Sequence, residues 1–228
     1  MLAGLGHAAT IDCRHTVGIA DAIASAQSPI DDGLPASLED AIAAYDLRWF
    51  KLKLSGDVDA DVLRLRSIAA VLDRLPAYRA TLDGNEQYSP AALSAFVDRL
   101  LSDPALKRLA DGTAWIEQPI PRAATFATDL AAIAKRIPLM IDEADDRYGA
   151  FVDARKLGYT GVSSKGCKGL YKSLVNRVRV ARDNATGACT FISAEDLTAQ
   201  AGLAVQQDSA LAAVLGCSHA ERNGHHYA

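Results

Sequence analysis

Short apolar, β-branched or aromatic runs alternate with longer stretches of helical period along almost the whole chain, and this alternation restricts the fold more than any other feature. "RWFKLKL" (48–54) precedes "DVDADVLRLRSIAAVLDRL", in which Val62, Leu65, Ile68, Ala69 and Leu72 recur at the spacing of one helix face. "YRATLD" precedes "SPAALSAFVDRLLSD", where Ser89 reads as an N-cap and Pro90 as the first helical residue. The pattern continues with "TAWIEQ" and "AATFATDLAAIAKRI", "PLMID" and "DRYGAFVDARKLG", and "TGVSSK" and "GLYKSLVNRVRVARDN". "CTFIS" and "LTAQAGLAVQQDSALAAVLG" follow, then a last strand, "CSHAE"; upstream, "CRHTVGI" and "SLEDAIAAYDL" add one more pair. Eight strands with seven intervening helices predict parallel strands joined by right-handed crossovers. An open doubly wound sheet shares the alternation, but no GxGxxG follows the first strand. The expectation is therefore an α/β fold, a closed (β/α)8 TIM-type barrel over residues 12–228, with residues 1–11 as a linker remnant. The eighth helix is missing from the pattern, and the chain is shorter than the roughly 250 residues typical of such barrels.

Composition sets bounds on partners. Half of the residues are hydrophobic and 23% are charged, which excludes a disordered chain, and a net charge of −4 without a basic block argues against a nucleic-acid partner. No run approaches the roughly 18 apolar residues of a membrane span, so a soluble, cytoplasmic protein with no membrane partner is expected. Cys13, Cys167, Cys189 and Cys217 are scattered without a CxxC pair and read as reduced, mostly buried thiols.

In a barrel of this kind, chemistry gathers where the strands end and the following loops converge. The second strand brings Lys51 and Lys53, the third Asp83 in "LDGN", the fourth Glu117 in "WIEQP", the fifth Asp142 and Glu143 in "MIDEAD", and the sixth Lys165 in "VSSKGCKG". Each signal alone has a plainer reading: a solvated Lys-x-Lys face, a DGN turn, a strand stopped by Pro119, an exposed loop lysine. Their ordered occurrence on five successive strand ends is what carries the argument. Three converging carboxylates repel one another unless a cation neutralises them, and hard oxygen donors suit Mg²⁺. Lys51 and Lys53 share one face of their strand, so Lys51 is expected to favour a neutral Lys53, with Lys165 across the barrel.

These motifs, "KLK", "DGN", "IEQP", "IDE" and the lysine of "SSKGCKG", resemble the enolase superfamily and within it the muconate lactonizing enzyme subgroup, in the family's order along almost the whole chain. The resemblance implies Asp83, Glu117 and Asp142 as ligands of Mg²⁺, or of Mn²⁺ in its place. It implies Lys53 and Lys165 as an acid/base pair on opposite faces of a small-molecule carboxylate, and Lys51 as a modulator of Lys53 that also touches the substrate carboxylate. The implied chemistry is removal of the proton next to a carboxylate, as a racemase, epimerase or cycloisomerase. A sugar-acid dehydratase with His219 as an additional acid, and a non-catalytic barrel used as a binding module, are the alternatives. Asn85, Glu143, Glu195, His219 and Glu221 are further candidates for substrate contact, and the seventh strand end, "FISAEDL", carries Glu195 and Asp196 rather than the histidine of the dehydratases. His225 and His226 read as tail residues. Two features depart from the family: only "MLAGLGHAATID" precedes the first strand, where members carry an α+β capping domain, and the C-terminal tail with the eighth helix is absent. An exposed metal site, weak or no activity of the chain as it stands, and a homo-oligomer are the corresponding expectations.

Overall fold

The computed structural model describes residues 8–25, 32–195 and 201–223. Its frame is eight strands: β1 Asp12–Val17, β2 Trp49–Lys53, β3 Arg79–Asp83, β4 Thr113–Glu117, β5 Leu139–Ile141, β6 Gly161–Ser164, β7 Phe191–Ala194 and β8 His219–Arg222. Each pairs in parallel with the next, and β1 pairs with β8 through Asp12↔His219 to Arg14↔Glu221 and His15↔Arg222, so the barrel is closed. The seam between β7 and β8 is the thinnest, with Ala194↔Ala220 as its registered pair.

Alternate strand residues face outward and build the core between barrel and helices. Phe50, Leu52, Ala80, Leu82, Ile116, Leu139, Ile141 and Val162 are fully buried. They share that core with Val62, Leu65, Ile68, Ala69 and Leu72 of helix α2 (Val58–Leu72), the face read from the sequence. Other helices of the outer layer are α1 (Leu38–Tyr45), α3 (Pro90–Ser102), α4 (Lys107–Gly112), α5 (Arg122–Thr125), α6 (Ala131–Ala134), α7 (Ala150–Arg155), α8 (Leu170–Ala185) and α9 (Leu203–Val214). Side chains cap the first three: Ser37 accepts from Asp40 N, Asp57 from Ala60 N, and Ser89 from Ala92 N, with Pro90 in the first turn of α3.

The helical layer departs from the expected seven helices in two places. "AATFATDLAAIAKRI" is two single turns, α5 and α6, because Thr125 Oγ1 turns back onto Pro121 O at 3.2 Å and Asp129 Oδ1 takes Ala131 N at 2.8 Å, opening a new turn. Residues 104–112, left unassigned by the sequence, form a 3-10 turn and then α4, entered at Asp103, whose carboxylate accepts from Ala105 N. Two thiols also correct the expectation of burial: Cys217 is buried, but Cys167 and Cys189 are exposed. Among the described residues no helix is long and apolar enough to cross a membrane.

Candidate active site

Inward-facing residues stack in levels along the barrel axis. At the N-terminal end an aromatic floor closes the interior: Trp49 stacks on His219 with centroids 3.8 Å apart, and Trp115 lies 5.7 Å from His219 and 4.7 Å from Phe191. Gly161 makes room for this floor, since a Cβ there would stand 2.2 Å from the Phe191 ring. Arg14 spans the next level, with its guanidinium 5.2 Å above Trp115 and Nη1 donating to His219 Nδ1 at 2.8 Å. Arginine only donates, so Nδ1 is the acceptor and the imidazole proton sits on Nε2. Burial and Arg14 lower the His219 pKa to about 3. His219 therefore belongs to the floor, at the start of β8 and at the opposite end from the converging loops, not at the strand end where the sequence placed it.

Above the floor Lys51 meets four carboxylates. Its Nζ lies 3.0 Å from Asp83, 2.8 Å from Glu117, 3.0 Å from Glu195 and 3.1 Å from Glu221, and its side chain is 2% exposed. Arg14 holds the other oxygen of Glu195 and donates to Ser193 Oγ at 3.0 Å. Burial alone would push Lys51 toward the neutral amine, but the carboxylates outweigh it and hold its pKa well above the ordinary range. Glu195 lies well below its ordinary range, because Arg14 and Lys51 overcome the cost of burial, whereas burial pushes Glu221 up to about 7. Lys51, Glu195 and Glu221 are thus buried partners of one another beneath the mouth.

The mouth itself is formed by the ends of β2 to β6. Lys53 Nζ donates to Asp83 Oδ2 at 2.6 Å and to Asn85 Oδ1 at 2.8 Å, so both lysines of "KLK" converge on one carboxylate oxygen. Asn85 passes the chain on to Glu143 Oε1 at 3.2 Å. Lys165 Nζ donates to Asp142 Oδ2 at 2.6 Å, while Lys168 Nζ reaches Asp142 Oδ1 at 2.7 Å and Ser163 Oγ at 2.5 Å. Those two lysines, outweighing burial, hold Asp142 far below the usual carboxylate range, and Asp142 in turn raises Lys165. At Lys51 and Lys165 pairing with carboxylates outweighs burial.

Backbone strain marks the same loops. Non-glycine residues with positive φ are Asn85 (40°), Glu86 (69°) and Gln118 (30°), besides Asp46 at the end of α1. Such conformations cost about 1–3 kcal/mol each and persist where their surroundings fix them. Gly84 supplies the close approach the loops need, because a Cβ there would stand 2.7 Å from Pro119 Cα. Sequence reasoning missed Arg14, Ser163, Gln118 and Lys168. Lys168 stood in the motif already quoted, and an arginine inside a buried strand was the available signal for Arg14.

Asp83, Glu117 and Asp142 lie on or just beyond three consecutive strands and offer only hard oxygen donors, and the buried Glu117 Oε2 lies 2.8 Å from Lys51 Nζ. Burial, then Asp83 and Glu195, raise the Glu117 pKa against the opposing effect of Lys51. In donor chemistry and strand placement the three suit a divalent cation. Among the described residues no three His, Cys, Asp or Glu side chains stand together as a ready ligand group, since each acid is turned onto lysine. Asp196, His225 and His226 lie outside the described residues.

The comparisons agree with this architecture. The profile of the enolase C-terminal domain-like family matches residues 33–188, more than half of the chain. No curated protein matches. Among solved structures, a mandelate racemase/muconate lactonizing protein from Herpetosiphon aurantiacus is similar with a TM-score of 0.70 at 21% identity, over 98% of this chain and 57% of the other. An enolase from Bradyrhizobium, complexed with magnesium and mandelic acid, gives 0.66 at 21% identity over 96% and 53%. The L-Ala-D/L-Glu epimerase of Bacillus subtilis gives 0.66 at 18% identity over 98% and 56%. The chain thus spans little more than half the length of these proteins. It belongs to the enolase superfamily, with the mandelate racemase/muconate lactonizing enzyme-like proteins.

Proposed function

We propose that this barrel serves an enzyme that removes the proton next to the carboxylate of a small organic acid, as a racemase, epimerase or cycloisomerase. One observation carries the reading. Lys53 ends β2 and Lys165 follows β6, four strands away in an eight-stranded barrel, so the two amines face each other across the mouth. Asp83, Glu117 and Asp142 occupy the arc between them. Mg²⁺, or Mn²⁺ in its place, held by those three carboxylates would supply the positive charge that makes loss of a proton beside a carboxylate accessible. Lys53 takes the proton at Nζ, which Asn85 Oδ1 orients by accepting from it at 2.8 Å. Lys165 Nζ delivers a proton to the opposite face of the same carbon in a racemase, and the buried Lys51 keeps Asp83 and Glu117 in place from below.

The test is exchange of a substrate α-proton with deuterated solvent in the presence of Mg²⁺, across a panel of hydroxy acids, N-acyl amino acids and dipeptides. The names of the neighbours make mandelate and alanyl-glutamate sensible members of that panel. Lys53→Ala and Lys165→Ala are each expected to slow exchange by about 10²–10⁴-fold, the usual worth of a positioned acid or base. No exchange across the panel, or full exchange in Lys53→Ala, defeats the reading.

A further inference from the structure

Gln118 follows Glu117 directly, is fully buried, and has a φ of 30°. All of its side-chain capacity is used. Oε1 accepts from Asp142 N and Ala144 N, each at 3.0 Å, while Nε2 donates to Ile120 O at 2.9 Å and Thr125 Oγ1 at 3.0 Å. Its backbone is bonded as well: N donates to Met140 O and O accepts from Glu86 N, both at 2.8 Å. One side chain therefore ties the end of β4 to the segment that carries Asp142 and Glu143. Its anchor is Thr125 of α5, outside the cluster of acids and lysines.

We infer that Gln118 is a positioning residue. It sets the distance between Glu117 and Asp142 by gripping the main chain at Asp142 and Ala144, and its strained backbone is kept in place by the same four bonds. The consequence for cation affinity rests on the reading of Glu117 and Asp142 as ligands; the consequence for the loop does not.

Gln118→Met keeps the length of the side chain and removes its hydrogen bonds. Amide hydrogen exchange at Asp142 and Ala144, measured without added metal, is expected to accelerate by about tenfold or more, while Leu82 and Val162 keep wild-type rates. Mg²⁺ affinity, measured by titration calorimetry, is expected to fall by about 10–100-fold, the usual effect of losing an outer hydrogen-bond partner. Unchanged exchange at both amides in the folded variant overturns the inference, and so does faster exchange with unaltered Mg²⁺ affinity where Asp142→Asn abolishes that binding. A wild-type protein that binds no Mg²⁺ overturns the ligand reading instead, and amide exchange alone then decides the role of Gln118. If Gln118→Met does not fold, Thr125→Val removes only the Nε2 anchor; it should speed exchange at the same two amides by about threefold, and wild-type rates there overturn the inference.

Discussion

His219 shows what burial does to an ionisable group inside the floor. It stacks on Trp49 and accepts from Arg14, and the second contact requires the neutral ring. Its pKa is about 3 in the folded protein against an ordinary value near 6.5. The unfolded chain therefore binds a proton between those limits and the folded one does not. The contribution of His219 to stability is complete above about pH 6.5 and is lost as the pH falls toward 3, by about 1.4 kcal/mol per unit at most. Glu221 works in the opposite sense, because its folded pKa of about 7 exceeds the ordinary carboxylate value, so acid relieves the cost of burying it charged. The wild-type profile mixes the two, and the difference from His219→Phe isolates the first. Urea unfolding of both proteins from pH 7.5 to 5 should show wild type losing stability relative to the variant below about pH 6.5; parallel profiles would sink the assignment.

At the scale of elements, strands and strand ends were legible because each signal is local. An acid or lysine at the last inward position of a strand reaches the mouth whatever the rest of the barrel does, and Asp83, Glu117, Asp142, Lys53 and Lys165 all lie there. The pairing of Lys51 with Glu195 and Glu221 was not legible, because it depends on side chains meeting across a closed interior. His219 was misplaced for a related reason: the last strand begins at this residue, not before it. The divided helix after β4 follows from side-chain bonds at Thr125 and Asp129 that periodicity does not report. Gly161 and Phe191, cross-strand partners of β6 and β7, give the sharpest test of the interior packing. Gly161→Ala should destabilise by about 1–3 kcal/mol through overpacking, and Phe191→Leu in the same chain should recover part of that loss. Additive losses in the double variant would show that the ring is not what the new methyl meets.

For the whole molecule, charge is balanced within the barrel. Asp83, Glu117, Asp142, Glu195 and Glu221 are matched by Arg14, Lys51, Lys53, Lys165 and Lys168. A ligand that binds only the folded barrel adds to its stability by mass action. Mg²⁺ at a hundred times its dissociation constant should add about 2.7 kcal/mol, read as a shift in the thermal midpoint. Asp142→Asn should abolish that shift while leaving the metal-free protein folded, and an equal shift in both proteins would place the bound ion elsewhere.

The aromatic floor has an optical consequence. Trp49 and Trp115 are the two tryptophans of the chain, and both ring systems lie against His219. Indole emission therefore originates at the closed end of the barrel, not at the loops or the outer helices. The two indoles stand on β2 and β4 and His219 on β8, so this cluster forms only once strands from both ends of the chain have met, and a single fluorescence trace records that meeting.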